Sequence, residues 1–141
     1  MRQALVIDPL VRLELVAQAI EARPVECCGL LVGRGRHIVA AVPMRNVAES
    51  RVRFRLDDRA HLDLRRTLRV LRPALDIVGV YHSHPAGRAW PSETDIEQSY
   101  YPDWAFVIVG LAGRPRVAAF RIRNGRARPW AIRWQSLTRR P

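Results

Sequence analysis

Apolar and polar positions in the first part of the chain predict a strand followed by an amphipathic helix. Residues 3–7 (QALVI) are a short apolar run typical of a strand. Asp8 and Pro9 then favour the start of a helix, because Asp caps helices well and Pro fits the first helical turn. The helix is expected to run to about Glu21. Four apolar residues recur in it at helical spacing and predict its inner face: Leu10, Leu13, Ala17 and Ile20.

Residues 27–71 contain further segments of the same two patterns. Residues 27–32 and 37–42 are apolar and flank a Gly-Arg-Gly-Arg turn, so they predict a β-hairpin. Residues 52–56 (VRFRL) alternate and predict another strand. Asp57 or Asp58 is a good cap for a helix that runs to about Leu71. Three leucines define the expected inner face of that helix: Leu64, Leu68 and Leu71.

The second half of the chain is richer in strands. Residues 76–84 (DIVGVYHSH) predict a buried strand, a short helix is expected from Ser92 towards Tyr101, and residues 104–111 predict a central strand. Residues 116–123 and 126–134 flank Asn124-Gly125, a strong hairpin signal. The order β-α-β-β-β-α-β-α-β-β-β predicts an α/β fold, with a mixed central β-sheet flanked by helices. We expect residues 1–141 to form a single domain.

The strand at residues 76–84 ends in two histidines that suggest a metal site. Side chains on a strand alternate faces, so His82 and His84 point the same way, about 6.6 Å apart along it, and Ser83 points the other way. A loop containing two prolines and a glycine follows. Ser92 is then a good N-cap, which places Asp95 at the third helical position. Two imidazoles and one carboxylate, with a fourth position for water, are the open arrangement of catalytic zinc.

Each of these residues also has an explanation without a metal. Ser92 and Asp95 form a capping pair whether or not a metal is present. His82 and His84 could be surface histidines on an edge strand. Glu26 precedes an apolar segment, and from local sequence alone it is interpreted as a solvated loop carboxylate. The two aligned histidines together with a returning acid nevertheless favour the metal interpretation.

Composition adds a charge asymmetry. The net charge is +11, all 24 basic residues are Arg, and all 13 acidic residues lie at or before Asp103. Residues 112–141 contain nine arginines and no acid. A basic surface of this kind attracts an acidic partner or nucleic acid, although a solvated arginine-rich edge is the commoner origin of dispersed charge.

Cysteine usage and hydropathy indicate the cellular compartment in which the protein is expected. Cys27 and Cys28 are adjacent, so they form neither a C-x-x-C pair nor a disulfide framework, and we expect buried, reduced thiols. No apolar run is long enough to cross a membrane, and the N-terminus lacks a signal-peptide pattern. We therefore expect a cytoplasmic protein with no membrane partner.

Two stretches together resemble the signature of the JAMM, or MPN-plus, zinc metalloproteases of the compact prokaryotic type. Residues 24–33 (PVECCGLLVG) are similar to the glutamate-bearing stretch of that family, and residues 82–95 (HSHPAGRAWPSETD) to its metal-site stretch. The likeness extends from about residue 5 to residue 123. The resemblance implies a JAMM/MPN fold, which is cytidine-deaminase-like, and it changes the interpretation of Glu26.

The resemblance also implies roles for five residues. His82, His84 and Asp95 would bind one Zn²⁺ with a water as fourth ligand, Glu26 would be the general base, and Ser92 would help stabilise the oxyanion. The substrates of similar proteins are small β-grasp ubiquitin-like or sulfur-carrier proteins ending in Gly-Gly, from which a conjugated protein or an amino acid such as cysteine is released. The arginine-rich C-terminal portion would steer an acidic carrier towards the site.

Three other functions compete with the hydrolase. A non-catalytic MPN-type interaction module usually lacks one or more motif residues, whereas all five positions are filled here. Nucleic-acid binding is suggested by charge alone, and we regard it as the weaker alternative. An iron oxygenase with two histidines and one carboxylate would not need the Glu26 partner.

Overall fold

The computed structural model describes residues 3–71 and 73–136. Strands and helices alternate along these ranges in the order β1 (Leu5–Ile7), α1 (Pro9–Ala22), β2 (Cys28–Arg34), β3 (His37–Met44), α2 (Asp58–Val70), β4 (Asp76–His84), α3 (Glu93–Glu97), β5 (Ala105–Gly110), β6 (Arg116–Arg123), β7 (Arg126–Trp130) and β8 (Ile132–Trp134). No helix among these residues is long and apolar enough to span a membrane.

The strands form one mixed sheet in the order β7-β6-β5-β4-β2-β3-β1-β8. β4 lies in its centre, antiparallel to β2 and parallel to β5. β7 and β8 lie at opposite edges, yet only Ala131 separates them along the chain. The sheet therefore curls until one residue joins its two edges. This arrangement confirms the predicted α/β class with a mixed sheet.

Each face of the sheet has its own apolar core. Tyr81 on β4 packs in the core beneath α1, and its hydroxyl donates a hydrogen bond to Gln18 at 2.6 Å. Val80 packs in the other core, together with Phe106 and with residues of α2. Because side chains alternate along a strand, His82 lies on the same face as Val80. The histidines therefore point away from α1.

Helix α1 begins where the sequence predicts, but it packs on a different face. The Asp8 side chain accepts a hydrogen bond from the Leu10 amide at 2.9 Å, and Pro9 lies in the first turn. The residues buried against the sheet are Val11, Leu15 and Ala19. The predicted inner-face residues Leu10, Leu13, Ala17 and Ile20 are exposed. The helix carries two apolar rows, and spacing alone could not decide which of them meets the sheet.

Helix α2 is capped by Asp57, which accepts hydrogen bonds from the amides of Arg59 and Ala60. Of the three predicted inner-face leucines, Leu68 is buried and Leu64 packs against the core. Leu71 lies past the last helical residue and is 38% exposed. The predicted boundaries of this helix are therefore confirmed, and its inner face ends one turn earlier than expected.

Three predicted boundaries are wrong. Residues 52–56 form a loop in which only Leu56 makes an isolated bridge, with Asn46, because the backbone of Arg53 and Arg55 bonds to the Asn46 side chain instead of to a strand. The predicted strand at 126–134 is broken after Trp130, where the chain passes to the opposite sheet edge. The helix after Ser92 ends at Glu97, well before Tyr101.

Candidate metal centre

His82 and His84 lie at the end of β4, with both side chains on one face of the sheet. The neighbouring strand β2 pairs with this part of β4. The intervening Ser83 points the other way, as the alternation predicts. Its hydroxyl accepts a hydrogen bond from the Cys27 amide at 2.9 Å, and its own amide donates to the Cys27 carbonyl at 3.0 Å. These two bonds fasten the residue after Glu26 to the residue between the histidines. Glu26 is thereby placed beside the histidines, although it lies 56 positions upstream of His82.

Three ligand-type atoms meet in front of the strand. His82 Nε2 lies 3.0 Å from His84 Nε2 and 3.2 Å from Asp95 Oδ2, and His84 Nε2 lies 3.1 Å from the same oxygen. A tetrahedral zinc ion with bonds of about 2.0–2.1 Å holds its ligand atoms roughly 3.3 Å apart. The spacing of the three atoms is therefore close to that of a ligand set.

The protonation of His84 strengthens the case for a cation. Its Nδ1 lies 2.8 Å from the carbonyl oxygen of Arg88, which can only accept, so Nδ1 carries a proton. In a neutral ring, the Nε2 lone pair would then face the Asp95 carboxylate. Burial lowers the pKa of His84, but hydrogen bonding to Asp95 outweighs it and raises the pKa overall. One proton can satisfy only one of the three short contacts, whereas one cation satisfies all three.

The other two ligand candidates have the protonation states that metal binding needs. His82 is fully buried, and burial lowers its pKa, which favours the neutral ring. Burial raises the pKa of Asp95, but hydrogen bonds with both histidines outweigh it and hold that pKa well below its usual range. Neutral imidazoles and an ionised carboxylate are metal-ligand forms. The donor set therefore fits the zinc ion that the sequence implies.

Glu26 lies beside these three residues, at a slightly longer distance than they lie from one another. Its Oε1 is 3.8 Å from His82 Nε2, further than the contacts among His82, His84 and Asp95. The side chain is 3% exposed, and Oε1 has no hydrogen-bond partner among the described residues. Burial raises its pKa to about 8. Glu26 is thus a buried carboxyl group aimed at the space in front of the histidines, which corrects the interpretation of a solvated loop carboxylate.

Ser92 and Asp95 form a capping box that also aims the carboxylate. The Ser92 hydroxyl accepts from the Asp95 amide at 3.1 Å, and the Ser92 amide donates to Asp95 Oδ2 at 2.9 Å. The oxygen held by this cap is the one that faces the histidines. The capping and ligand interpretations are therefore both satisfied by one geometry. Because the hydroxyl oxygen accepts in the cap, its proton remains available to another acceptor.

Asn46 is a site residue that sequence reasoning missed. It is buried, and its amide nitrogen donates to the carbonyl oxygens of Glu26 at 3.0 Å and Arg53 at 2.9 Å. Its amide oxygen accepts from the backbone amides of Ala48 and Arg55, each at 3.0 Å. One side chain therefore ties the loop of residues 46–56 to the backbone of Glu26. The periodicity of the sequence contains no signal for this role.

The loop of residues 46–56, which Asn46 holds in place, also covers His82, one of the candidate metal-ligating residues. Phe54 stacks on the His82 ring with centroids 4.4 Å apart and planes 19° apart, and Phe106 meets the same ring edge-on at 5.3 Å. Both phenylalanines line a cavity of about 710 Å³. Tyr101 and Trp104, stacked 3.7 Å apart, line it further out.

We expect Asn46→Ala to loosen this arrangement. Burying the freed backbone groups without partners should lower the free energy of unfolding by about 1–3 kcal/mol. Urea unfolding measures this cost, and hydrogen exchange should show faster exchange at Ala48 and Arg55. Asn124→Gly, at an exposed turn position with a φ of 51°, is the control for loss of an Asn side chain, because glycine adopts that conformation without strain. Unchanged exchange rates in the loop would show that Asn46 does not order it.

One further histidine and the two cysteines lie near the site. His61 packs against Tyr101 and Trp104, with ring centroids 6.5 and 6.1 Å away. Cys27 and Cys28 are buried free thiols, as expected. Burial raises the pKa of both, to about 12 for Cys28. Thiols in this state are poor metal ligands and poor nucleophiles.

Comparison with known proteins places this site in a family context. The family described as prokaryotic homologs of the JAB domain matches residues 9–123. The chain is similar to a desampylase of Haloferax volcanii, with 39% identity over 95 residues that cover 64% of this chain and 66% of that protein. It is also similar to the CysO-cysteine peptidase of Mycobacterium tuberculosis, with 34% identity over 120 residues that cover 79% of this chain and 77% of that protein.

A solved structure has a similar fold. The solution structure of a protein from Desulfitobacterium hafniense superposes with a TM-score of 0.83 at 29% identity, and the alignment covers 92% of both chains. The helices and strands that position Glu26, His82, His84 and Asp95 all lie within the residues that the family matches.

Proposed function

This chain belongs to the family of prokaryotic JAB-domain homologs and is a JAMM-type peptidase, and we propose that it cleaves the peptide or isopeptide bond after the C-terminal Gly-Gly of a small ubiquitin-like or sulfur-carrier protein. The observation that carries the proposal is the meeting of His82, His84 and Asp95 in front of the buried Glu26 carboxyl group. Relatives named desampylase and CysO-cysteine peptidase support a carrier-protein substrate.

We assign one Zn²⁺ to His82, His84 and Asp95. Zinc held there would polarise the scissile carbonyl and bring the pKa of a bound water towards neutrality. The protein prepares the three ligands in different ways. The Arg88 carbonyl fixes the His84 tautomer, packing against Phe54 and Phe106 fixes the His82 ring, and the Ser92 amide orients the Asp95 carboxylate. Such outer contacts typically change metal affinity by ~10–100-fold.

Glu26 is assigned the general-base role. Its buried carboxyl group has no partner at Oε1 among the described residues, so in its ionised form it can accept a proton from the attacking water and return it to the leaving amine. A carboxyl group whose pKa is raised to about 8 holds a proton well enough to make this return step favourable. Proton transfer by a positioned group contributes ~10²–10⁴-fold to the rate.

Ser92 is assigned the oxyanion-stabilising role, because its hydroxyl proton is not used by the cap. Ser92→Ala should lower kcat by up to ~10²-fold and remove about 1 kcal/mol of stability with the lost cap. Ser92→Thr keeps both the cap and the donor, and it should retain most of the activity. Steady-state kinetics and urea unfolding on both variants separate the two effects. Equal kcat for Ser92→Ala and wild type would remove the oxyanion assignment.

The proposed reaction is tested directly with a carrier protein extended by a few residues beyond its Gly-Gly tail. The wild type should release the extension, identified by mass, with cleavage after the second glycine. A chelator should stop the reaction, and added zinc should restore it. Cleavage elsewhere, or cleavage that persists in chelator, would contradict the proposal. Zinc binding without cleavage of any such substrate would favour the non-catalytic interaction module.

We also propose that residues 1–141 act as one domain. The described strands from Leu5 to Trp134 all belong to one sheet, and each helix packs on it. This continuity supports a single cooperative unit. Limited proteolysis that released a stable fragment from the middle of the sheet would contradict it.

A further inference from the structure

A second cavity, of about 690 Å³, lies beside the loop that follows His84. Three arginines from separate parts of the chain line it: Arg12 of α1, Arg88 of the loop, and Arg116 at the start of β6. Trp90 and Trp134 form part of its wall. No acidic side chain of the described residues lines this cavity. We call it the arginine pocket.

The three arginines are free to meet an incoming negative charge. Within residues 3–71 and 73–136, none of them forms an ion pair with an acidic side chain, whereas Arg45 and Arg59 are paired with Glu49 and Asp63. The Arg12 guanidinium lies over the Trp134 ring, 5.9 Å from its centroid, which helps to hold it at the pocket. Concave surfaces lined by one sign of charge concentrate the electrostatic potential.

The arginine pocket adjoins the metal centre through the backbone. Arg88 lines the pocket with its side chain, while its carbonyl oxygen accepts the hydrogen bond from His84 Nδ1. The loop lies directly against β5, because a Cβ at Gly110 would collide with the backbone of Arg88 and Ala89. The loop that carries Arg88 therefore contacts the arginine pocket through a side chain and the metal centre through a carbonyl oxygen.

We propose that the arginine pocket docks an acidic surface segment of the carrier protein while its tail enters the metal centre. This inference rests on the proposed function and specifies how the substrate is recognised. Guanidinium groups bind carboxylates through paired hydrogen bonds, so arginine suits this role better than lysine. The sequence predicted steering by the C-terminal arginines alone. The structure assigns the docking role to a set that includes Arg12 and Arg88, both outside that portion.

A protein partner fits the pocket better than a nucleic acid. Proteins that bind single strands combine a basic track with open aromatic faces on which bases stack. Here the Arg12 guanidinium lies over the Trp134 ring, and Trp90, which is 53% exposed, meets Phe120 edge-on with centroids 5.1 Å apart. Two rings beside one cavity do not form a row of stacking platforms along a strand. The basic groups surround one concave site instead of following a track.

The test compares two charge reversals of equal size. Arg12→Glu/Arg116→Glu alters the arginine pocket, and Arg126→Glu/Arg128→Glu alters exposed positions on β7 outside it. The substrate is an acidic β-grasp carrier with an extended Gly-Gly tail, and poly-L-glutamate is the competitor. The pocket variant should raise KM for the carrier by roughly tenfold or more without a change in kcat or zinc content. It should also lose inhibition by poly-L-glutamate and most of the salt dependence of kcat/KM.

The control variant should keep KM within about twofold of the wild type, since exposed rim charges contribute little. Equal effects of the two reversals, or no effect of either, would overturn the docking site. So would a pocket variant that binds carrier normally but loses binding to a single-stranded oligonucleotide. If the wild type cleaves no carrier, the proposed function fails. Carrier binding to the two variants, measured by calorimetry, then still decides whether the pocket docks it.

Discussion

Glu26→Gln is expected to abolish cleavage of the carrier tail while the protein keeps its zinc. Glutamine fills the same space but cannot accept a proton from the attacking water, so turnover should fall by at least ~10²–10⁴-fold. Zinc should stay bound, because Glu26 lies behind the three closely spaced ligand atoms, 3.8 Å from His82 Nε2. Single-turnover assays and metal analysis on the same preparation measure both results.

The same substitution is expected to stabilise the zinc-free protein. Burial raises the pKa of Glu26 from 4.5 to about 8, so the unfolded chain releases this proton at lower pH than the folded chain does. The stability of the wild type should therefore fall as pH rises from about 4.5 to about 8, and then level off. Glutamine removes this dependence. The gain at pH 7 should be on the order of 2–3 kcal/mol, measured by urea unfolding at pH 5 and pH 7.

Glu49→Gln is the matched control for both measurements. Glu49 is exposed and pairs with Arg45 at the surface, so its loss should change the free energy of unfolding by less than about 0.5 kcal/mol and leave turnover unchanged. If Glu26→Gln retained turnover, Glu26 would not be the base. If it failed to stabilise the zinc-free protein at pH 7, the carboxyl group would not be held in a desolvated position.

The parts of the site that sequence could predict are those that depend on short spacings. The alternation of a strand places His82 and His84 on one face, and the geometry of a helix start places Asp95 beside Ser92. Both relations involve residues that are close together in sequence, so they do not depend on how the rest of the chain folds. The structure has both the shared face and the capping box.

The supporting contacts could not be predicted, because they join distant positions. Ser83 bonds to Cys27 across 56 residues, and Asn46 bonds to Glu26 across 20. Glu26 itself has no local signal for its burial, and only the family resemblance pointed to it. The loop at residues 52–56 alternates like a strand, yet the Asn46 side chain takes the backbone groups that a strand partner would need. The periodicity of a sequence does not reveal a side chain that competes for the backbone hydrogen bonds of a strand.

Helix α1 shows a different limit. Its two apolar rows, one through Leu13 and one through Leu15, have similar spacing, and in the structure the row through Leu15 is the buried one. The strand at residues 126–134 shows the same limit at a larger scale. Its sequence is continuous, but at Ala131 the chain passes from one edge of the sheet to the other, so it changes neighbours there. The curl that brings the two edges together is a property of the whole sheet and has no signal in the local sequence.

His84→Ala is expected to cause the largest loss of zinc affinity that leaves the fold intact. His84 is only partly buried, whereas His82 is fully enclosed and its removal would leave a cavity beneath Phe54. Without the His84 nitrogen, two closely spaced ligand atoms remain, and affinity should fall by more than the ~10–100-fold that loss of an outer contact causes. Cleavage should fall below detection with it. Metal analysis and competition with a chelating dye measure the affinity.

His37→Ala is the control for the loss of a histidine outside the metal centre. His37 lies on β3 and bonds to Gln135 at 2.9 Å. Its replacement removes one imidazole and leaves the proposed ligands unchanged, so zinc content should stay at one per chain.

Asp95→Asn provides a second line of evidence, because Asn can keep the hydrogen bond from the Ser92 amide while it loses the charge. Zinc should weaken in Asp95→Asn as in His84→Ala, since a neutral amide does not balance the metal charge. Wild-type zinc affinity in either variant would remove that residue from the ligand set. Loss of zinc in both, with retention in His37→Ala, would establish that the capping box holds a ligand as well as a helix.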